Sequence, residues 1–194
     1  MVKHEFRLFF CALTLLALCG CLQSFSRVIP GKSNRRSDAK QYFDRGLSLA
    51  SEKEYDRAIR AFTKALEIDP KYDDAYWGRG VAWAMKGDPD RAIADYNRAL
   101  TLNPAHAWAY NNRGCAWRDK GDYDRAITDY TKDLEMHPFS AETYHNRAVA
   151  WALKGNFQKA LSDARNALRL KPENEAYQFS VSRYEAFLKK ANKE

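Results

Sequence analysis

DDAYWGRGVAWAMKGDPDRAIADYNRALTLNPAH, residues 73–106, runs without a gap into AWAYNNRGCAWRDKGDYDRAITDYTKDLEMHPFS, residues 107–140. Laid one over the other, the stretches share tyrosine at 76 and 110, arginine at 79 and 113, glycine at 80 and 114, and tryptophan at 83 and 117. The step is thirty-four residues, and it continues outward in both directions. Pro70, Pro104, Pro138 and Pro172 keep it, as do Tyr42, Tyr76, Tyr110 and Tyr144, and Arg45, Arg79, Arg113 and Arg147. So do Ala58-Ile59, Ala92-Ile93, Ala126-Ile127 and Ala160-Leu161. A period between about twenty and fifty residues is the mark of stacked supersecondary units, none of which buries its apolar face alone.

Each unit divides into two helices. Tyr76, Arg79, Gly80 and Trp83 recur at helical spacing and share one face. Lys86-Gly87-Asp88 interrupts the run, and Pro89 suits the first turn of a second helix, where a missing N–H costs nothing. Ala92, Tyr96, Ala99 and Leu100 form that helix's inner face, and Asn103-Pro104 ends it, because the residue before proline is driven out of the helical region. Lys120-Gly121-Asp122 and Lys154-Gly155-Asn156 repeat the break. Small residues stand where helices approach closely: Gly46, Gly80, Gly114 and Ala148, then Ala58, Ala92, Ala126 and Ala160. Arg79, Arg113 and Arg147 each precede an aspartate, Asp95, Asp129 or Asp163, by sixteen residues. These pairs close either within a unit or onto the next one, and Ala61 leaves the first unit without its aspartate. Beyond the last proline, Tyr177, Val181, Tyr184 and Leu188 make one more amphipathic helix over residues 173–190, suited to capping an array end.

This pattern resembles the tetratricopeptide repeat. The resemblance rests on the Tyr42 series, on Gly46, Gly80, Gly114 and Ala148, on the second-helix alanines and on the closing prolines. It implies an all-α fold, an α-solenoid of four helix-turn-helix units within 38–172 (39–72, 73–106, 107–140 and 141–172) and a C-terminal capping helix. The chain departs from the pattern in three places. Leu49, Trp83, Trp117 and Trp151 stand where the family usually has tyrosine. Ala164 replaces the aromatic of Phe62, Tyr96 and Tyr130, and Asp133 replaces the small residue of Ala65, Ala99 and Ala167, which predicts looser packing there.

The first twenty residues belong to a different regime. Lys3 and Arg7 precede an almost wholly apolar run, Leu8 to Leu18, fit for a signal sequence and too short to cross a bilayer core of about 30 Å as a helix. Leu18-Cys19-Gly20-Cys21 resembles the lipobox of bacterial prolipoproteins, with Cys19 an unusual occupant of a middle position. That likeness implies a signal peptide over 1–20, palmitate-type acylation of Cys21, and, with Leu22 next, an outer-membrane destination facing the periplasm. An ordinary secretory signal cut near Gly20 is a second reading, and an uncleaved N-terminal anchor a third that the short apolar core disfavours. Residues 21–37, with Pro30-Gly31 and no apolar stripe, read as a flexible lipid-anchored linker.

The formal charge of +7 does not point to nucleic acid. Residues 39–172 hold 22 Lys/Arg against 19 Asp/Glu, whereas Arg27, Lys32, Arg35 and Arg36 crowd the linker, where anionic lipid is the natural counterpart. No glycine-rich phosphate loop is present, and His106, His137 and His145 lack zinc-ligand spacing, so no cofactor and no metal are expected. Cys115, alone once the leader is removed and Cys21 acylated, forms no disulfide framework. Pairing it with His145 as nucleophile and base gives the one enzymatic alternative, which lacks a third orienting group.

In the family, the first helices line a concave groove that receives peptide segments. Residues off their packing face are therefore the partner-binding candidates: Phe43, Trp77, Met85, Trp108, Asn111, Asn112, Arg118, His145 and Asn146, with Leu47, Val81, Cys115 and Val149 beside them. Trp77 and Trp108 read as recognition anchors. Asn111, Asn112 and Arg118 lack the lysine series that capture of a C-terminal carboxylate uses in this family, so an apolar, aromatic-lined groove is expected. The whole reads as a non-enzymatic, membrane-anchored scaffold or adaptor for protein or peptide partners, or more narrowly as a pilotin-like assembly factor for a secretin or pilus.

Overall fold

Gly87, Gly121 and Gly155 adopt φ of 79°, 81° and 84°, the left-handed region that glycine enters freely. Each ends the first helix of a unit. One residue on, Asp88, Asp122 or Asn156 accepts the N–H of Arg91, Arg125 or Lys159 at 3.0–3.1 Å and caps the second helix. The same chemistry therefore turns the chain three times. The first unit makes the turn with poorer material. Lys53 takes φ of 62° where the others have glycine, at a cost of about 1 kcal/mol, and Glu54 makes no side-chain cap bond.

The computed structural model describes residues 35–191, and the leader, Cys21 and most of the linker lie outside the described residues. Among the described residues there are nine helices and no strand. They are α1 Arg35–Ser51, α2 Tyr55–Ile68, α3 Asp73–Met85, α4 Pro89–Leu102, α5 Ala107–Asp119, α6 Tyr123–Met136, α7 Ala141–Leu153, α8 Phe157–Leu170 and α9 Glu175–Ala191. Four hairpins and a terminal helix result, an all-α solenoid. Helix α1 starts inside the stretch read as linker, so residues 35–37 are helical. No described helix is long and apolar enough to cross a membrane.

A glycine–aromatic pair sits at the centre of three hairpins. A Cβ on Gly46 would lie 2.5 Å from the Phe62 ring, one on Gly80 2.6 Å from Tyr96, and one on Gly114 2.7 Å from Tyr130. The missing side chain is the space that the ring fills. In the fourth hairpin both members change together, to Ala148 and Ala164, and Tyr184 of α9 joins their cluster. Loss of the aromatic is thus made good by the capping helix. Tyr177 and Tyr184 are buried, and Val181 and Leu188 pack beside the latter.

The expected looseness at Asp133 is not found. Asp133 is 3% exposed, and its carboxylate accepts hydrogen bonds from the hydroxyl of Thr143, which is fully buried, and lies 3.1 Å from His137 Nδ1. Thr143 stands where other units have Ala75 and Ala109. The aspartate is tolerated because its neighbour changed with it; a buried polar atom is costly only when it lacks a partner.

The arginine–aspartate ambiguity is settled within the unit. Arg79 clasps Asp95 with two bonds of 2.8 Å, Arg113 clasps Asp129 at 2.7–2.8 Å, and Arg147 clasps Asp163 at 2.8–2.9 Å. A third N–H of each guanidinium reaches back to the preceding hairpin, to Thr63, Asn97 or Thr131 at 2.6–3.1 Å. The five-donor fork of arginine lets one side chain close its own unit and fix its register on the last. Lys86, Lys120 and Lys154 add exposed inter-unit ion pairs to Asp56, Asp90 and Asp124, worth little individually. The tryptophans are roofed by cations: Arg91 lies 3.7 Å from the Trp83 ring centre, Arg125 4.4 Å from Trp117 and Lys159 4.3 Å from Trp151.

Candidate functional site

Helices α3 and α5, and α5 and α7, touch one another across the units, which puts the first helices on the inner side of the array. Residues facing away from the hairpin cores on α5 and α7 are therefore presented on that side. Asn146 Nδ2 donates to Asn111 Oδ1 at 3.3 Å and lies 3.8 Å from Cys115 Sγ, joining the two helices at mid-face.

Two clefts open along these helices. One, of about 410 Å³, is lined by Trp108, Asn111, Met136, His137, Phe139 and Thr143. Trp108 is 60% and Phe139 78% exposed, and the Trp108 and His137 rings lie 6.1 Å apart. The other, of about 400 Å³, lies between α7 and α9, with His145, Val149 and Leu153 facing Phe179, Arg183 and Phe187. Leu153, Phe179 and Phe187 are all exposed. The stacked Phe157 and Phe187 rings, 4.7 Å apart, form its end.

The sequence-derived candidates scatter over several environments. Trp108 and Met85 stand free, at 60% exposure each. Trp77 is half-buried between hairpins, beside Val81 against Tyr96 and 5.8 Å from the His106 ring, so it covers a seam more than it offers a free anchor. Phe43 packs on Phe62 and Tyr72, with ring centres 5.7 and 5.0 Å away. Asn111 is only 5% exposed, while Asn112 and Asn146 are half-buried. Arg118 is paired with Asp119 at 3.0 Å. The His145 ring packs at a tilt against Tyr177, with centres 4.9 Å apart, and burial lowers its pKa, favouring the neutral ring. Phe139, Leu153, Phe179, Arg183 and Phe187 were not expected. Leu153 had a signal, since it repeats Met85 two units on. Phe179 and Phe187 lie off the packing stripe of α9, which the capping role alone does not use.

Cys115 is a poor nucleophile. Burial pushes its thiol up, Tyr130 donates to the sulfur at 3.4 Å, and its other polar neighbour is Asn146, not His145. Among the described residues, Asp73, Asp74 and His106 come close enough to surround a cation. His106 Nδ1, however, accepts the N–H of Ala109 at 3.3 Å, which places the ring proton on Nε2, 3.2 Å from Asp74. That tautomer has no lone pair left for a metal.

Profiles of one family match the array end to end: residues 34–107 match one described as tetratricopeptide repeat, and residues 107–140 and 141–174 match a second of the same description. The chain belongs to the tetratricopeptide repeat family. Solved tetratricopeptide structures resemble it in fold. MamA is 25% identical with a TM-score of 0.66, over 73% of this chain and 82% of that one. PilF of Pseudomonas aeruginosa is 20% identical with a TM-score of 0.74, over 81% and 72%. The first tetratricopeptide module of Spaghetti, bound to an HSP90 peptide, is 25% identical with a TM-score of 0.61, over 62% and 95%. No curated protein matches the sequence. Tetratricopeptide arrays are protein-interaction scaffolds.

Proposed function

We propose that this chain is a lipid-anchored scaffold of the bacterial envelope that holds a protein segment against the inner face of its last two units and capping helix. The observation that carries the binding reading is the exposure of Trp108, Phe139, Leu153, Phe179 and Phe187 around two clefts. Rigid aromatic side chains beside apolar hollows are the usual anchors of an interface. Asn146, half-buried, supplies an amide suited to an extended backbone, and Arg118 and Arg183 favour acidic flanks. The anchor rests on the resemblance of Leu18-Cys19-Gly20-Cys21 to a lipobox, with Leu22 favouring the outer membrane and a periplasmic position for the array. A secretin or pilus assembly role is a narrower version of the same binding; the likeness to PilF is one of fold.

Crosslinking of the full chain in its membrane fraction, followed by affinity measurement, tests this. Trp108→Ala with Phe179→Ala should weaken the captured partner by about tenfold or more, the scale of two lost anchors. Unchanged affinity would refute the assignment of the face. Mass spectrometry of the mature N-terminus tests the anchor separately: diacylglyceryl on Cys21 supports it, and an unmodified terminus at or beyond Leu22 ends it.

A further inference from the structure

Three units show what their recurrent arginine holds. Arg79, Arg113 and Arg147 each take a carboxylate in a two-bond clasp, and that carboxylate sits on the second helix of the same hairpin. The first unit keeps the arginine, Arg45, and replaces the aspartate by Ala61. The place of the carboxylate is a hollow of about 180 Å³ lined by Tyr42, Arg45, Leu49, Arg57, Arg60, Ala61 and Lys64. Among the described residues Arg45 forms no ion pair. The carboxylates nearby serve other cations: Glu54 holds Arg57, Glu67 holds Lys64, and Asp56 holds Lys86. Arg45 remains over the hollow with no carboxylate of its own, and Arg60 beside it shares the exposed Asp56 that Lys86 already holds.

We propose that this vacated slot binds the phosphate of an anionic lipid headgroup. A phosphate oxygen pair matches the arginine fork as a carboxylate does. The choice of lipid over an acidic peptide follows from where the charge lies along the chain. Residues 22–64 contain ten Lys/Arg against five Asp/Glu, whereas residues 65–194 contain twenty against nineteen. Nearly all the excess positive charge beyond Cys21 therefore lies in the linker and the first hairpin, the part of the chain next to Cys21. From Cys21 to Arg35 is fourteen residues, a reach of at most about 50 Å, so a headgroup is within range of that end. The choice of lipid rests on the anchored reading; the anion slot itself does not. Such a contact would supply a second membrane signal and set how the array stands on the bilayer.

Substituting Ala61→Asp restores the residue that the other three units carry, and so fills the slot from within while keeping the fold. The full chain in dodecyl maltoside micelles is titrated while the Arg45 Nε–H resonance is followed. Phosphatidylglycerol added to the micelles should shift it, with phosphatidylcholine leaving it in place. Ala61→Asp should weaken that response about tenfold, the worth of one bidentate charge-assisted clasp. A shift that survives Ala61→Asp, or no shift with phosphatidylglycerol, overturns the proposal. So does an equal response to inorganic phosphate at the same concentration, or a response to triglutamate alone. An unmodified mature N-terminus with phosphatidylglycerol binding intact would remove the anchor and leave the slot standing.

Discussion

Gly114 and Tyr130 should be energetically coupled to the point that one substitution changes sign with the other. A Cβ at position 114 would stand 2.7 Å from Tyr130 Cε1, 2.9 Å from Cδ1 and 3.1 Å from Cζ, all on one fully buried ring. Gly114→Ala alone therefore overpacks the hairpin, at about 1–3 kcal/mol, and regains about 1 kcal/mol of helix propensity. The net is a loss of about 0–2 kcal/mol. Tyr130→Ala alone empties the core and should cost about 3–5 kcal/mol. With the ring gone, the three nearest contacts of an alanine at 114 go with it, and its propensity gain of about 1 kcal/mol is left. The double variant should thus be more stable than Tyr130→Ala by that amount, giving a coupling energy of about 1–3 kcal/mol. Urea unfolding followed by circular dichroism and by tryptophan fluorescence measures the cycle, both probes being needed because an array can open unit by unit. Equal shifts from Gly114→Ala in the two backgrounds would refute the space-sharing argument. Ala148 with Ala164 in the fourth unit is the same double substitution, already present in the chain.

Asp133→Ala should lose about 1 kcal/mol by removing the acceptor that the buried Thr143 hydroxyl uses, since Ser140 Oγ at 2.8 Å is left as its partner, and Thr143→Ala added to it should cost little more; denaturant unfolding of the three variants decides. Arg113→Met should destabilise by about 3 kcal/mol because Asp129, almost wholly buried, loses its clasp, while Arg113→Met with Asp129→Leu should be far milder, a contrast readable from thermal melts. Cys115 should alkylate with iodoacetamide more slowly at pH 8 than free cysteine does, since its raised pKa leaves less thiolate at that pH, and a rate equal to that of the urea-unfolded chain would contradict the burial argument.

The periodic residues carried the fold in the open. The prolines ended α2, α4, α6 and α8, the glycine turns fell where expected, and Tyr177 and Tyr184 capped the array. What the sequence hid was compensation between positions. Asp133 reads as a defect until Thr143, ten residues on, is seen to face it, and Ala164 reads as a void until Tyr184 fills it. The same limit applies to the inner face. Trp77 and Trp108 both lie off the packing series in sequence, yet the neighbouring hairpin covers the first and leaves the second bare. Phe179 and Phe187 lie off the buried stripe that marks a capping helix in sequence, and only the fold shows that this opposite side completes a cleft with α7.

The first hairpin lacks the turn glycine, the side-chain cap and the internal arginine clasp that its three successors possess. Its resistance to opening is correspondingly the lowest in the array, so amide exchange should spread from α1 and α2 toward the C-terminus. Any force passed along the chain from ahead of Arg35 enters through this hairpin. It would yield there first, as a mechanical fuse, and the inner face between α5 and α9 would keep its shape.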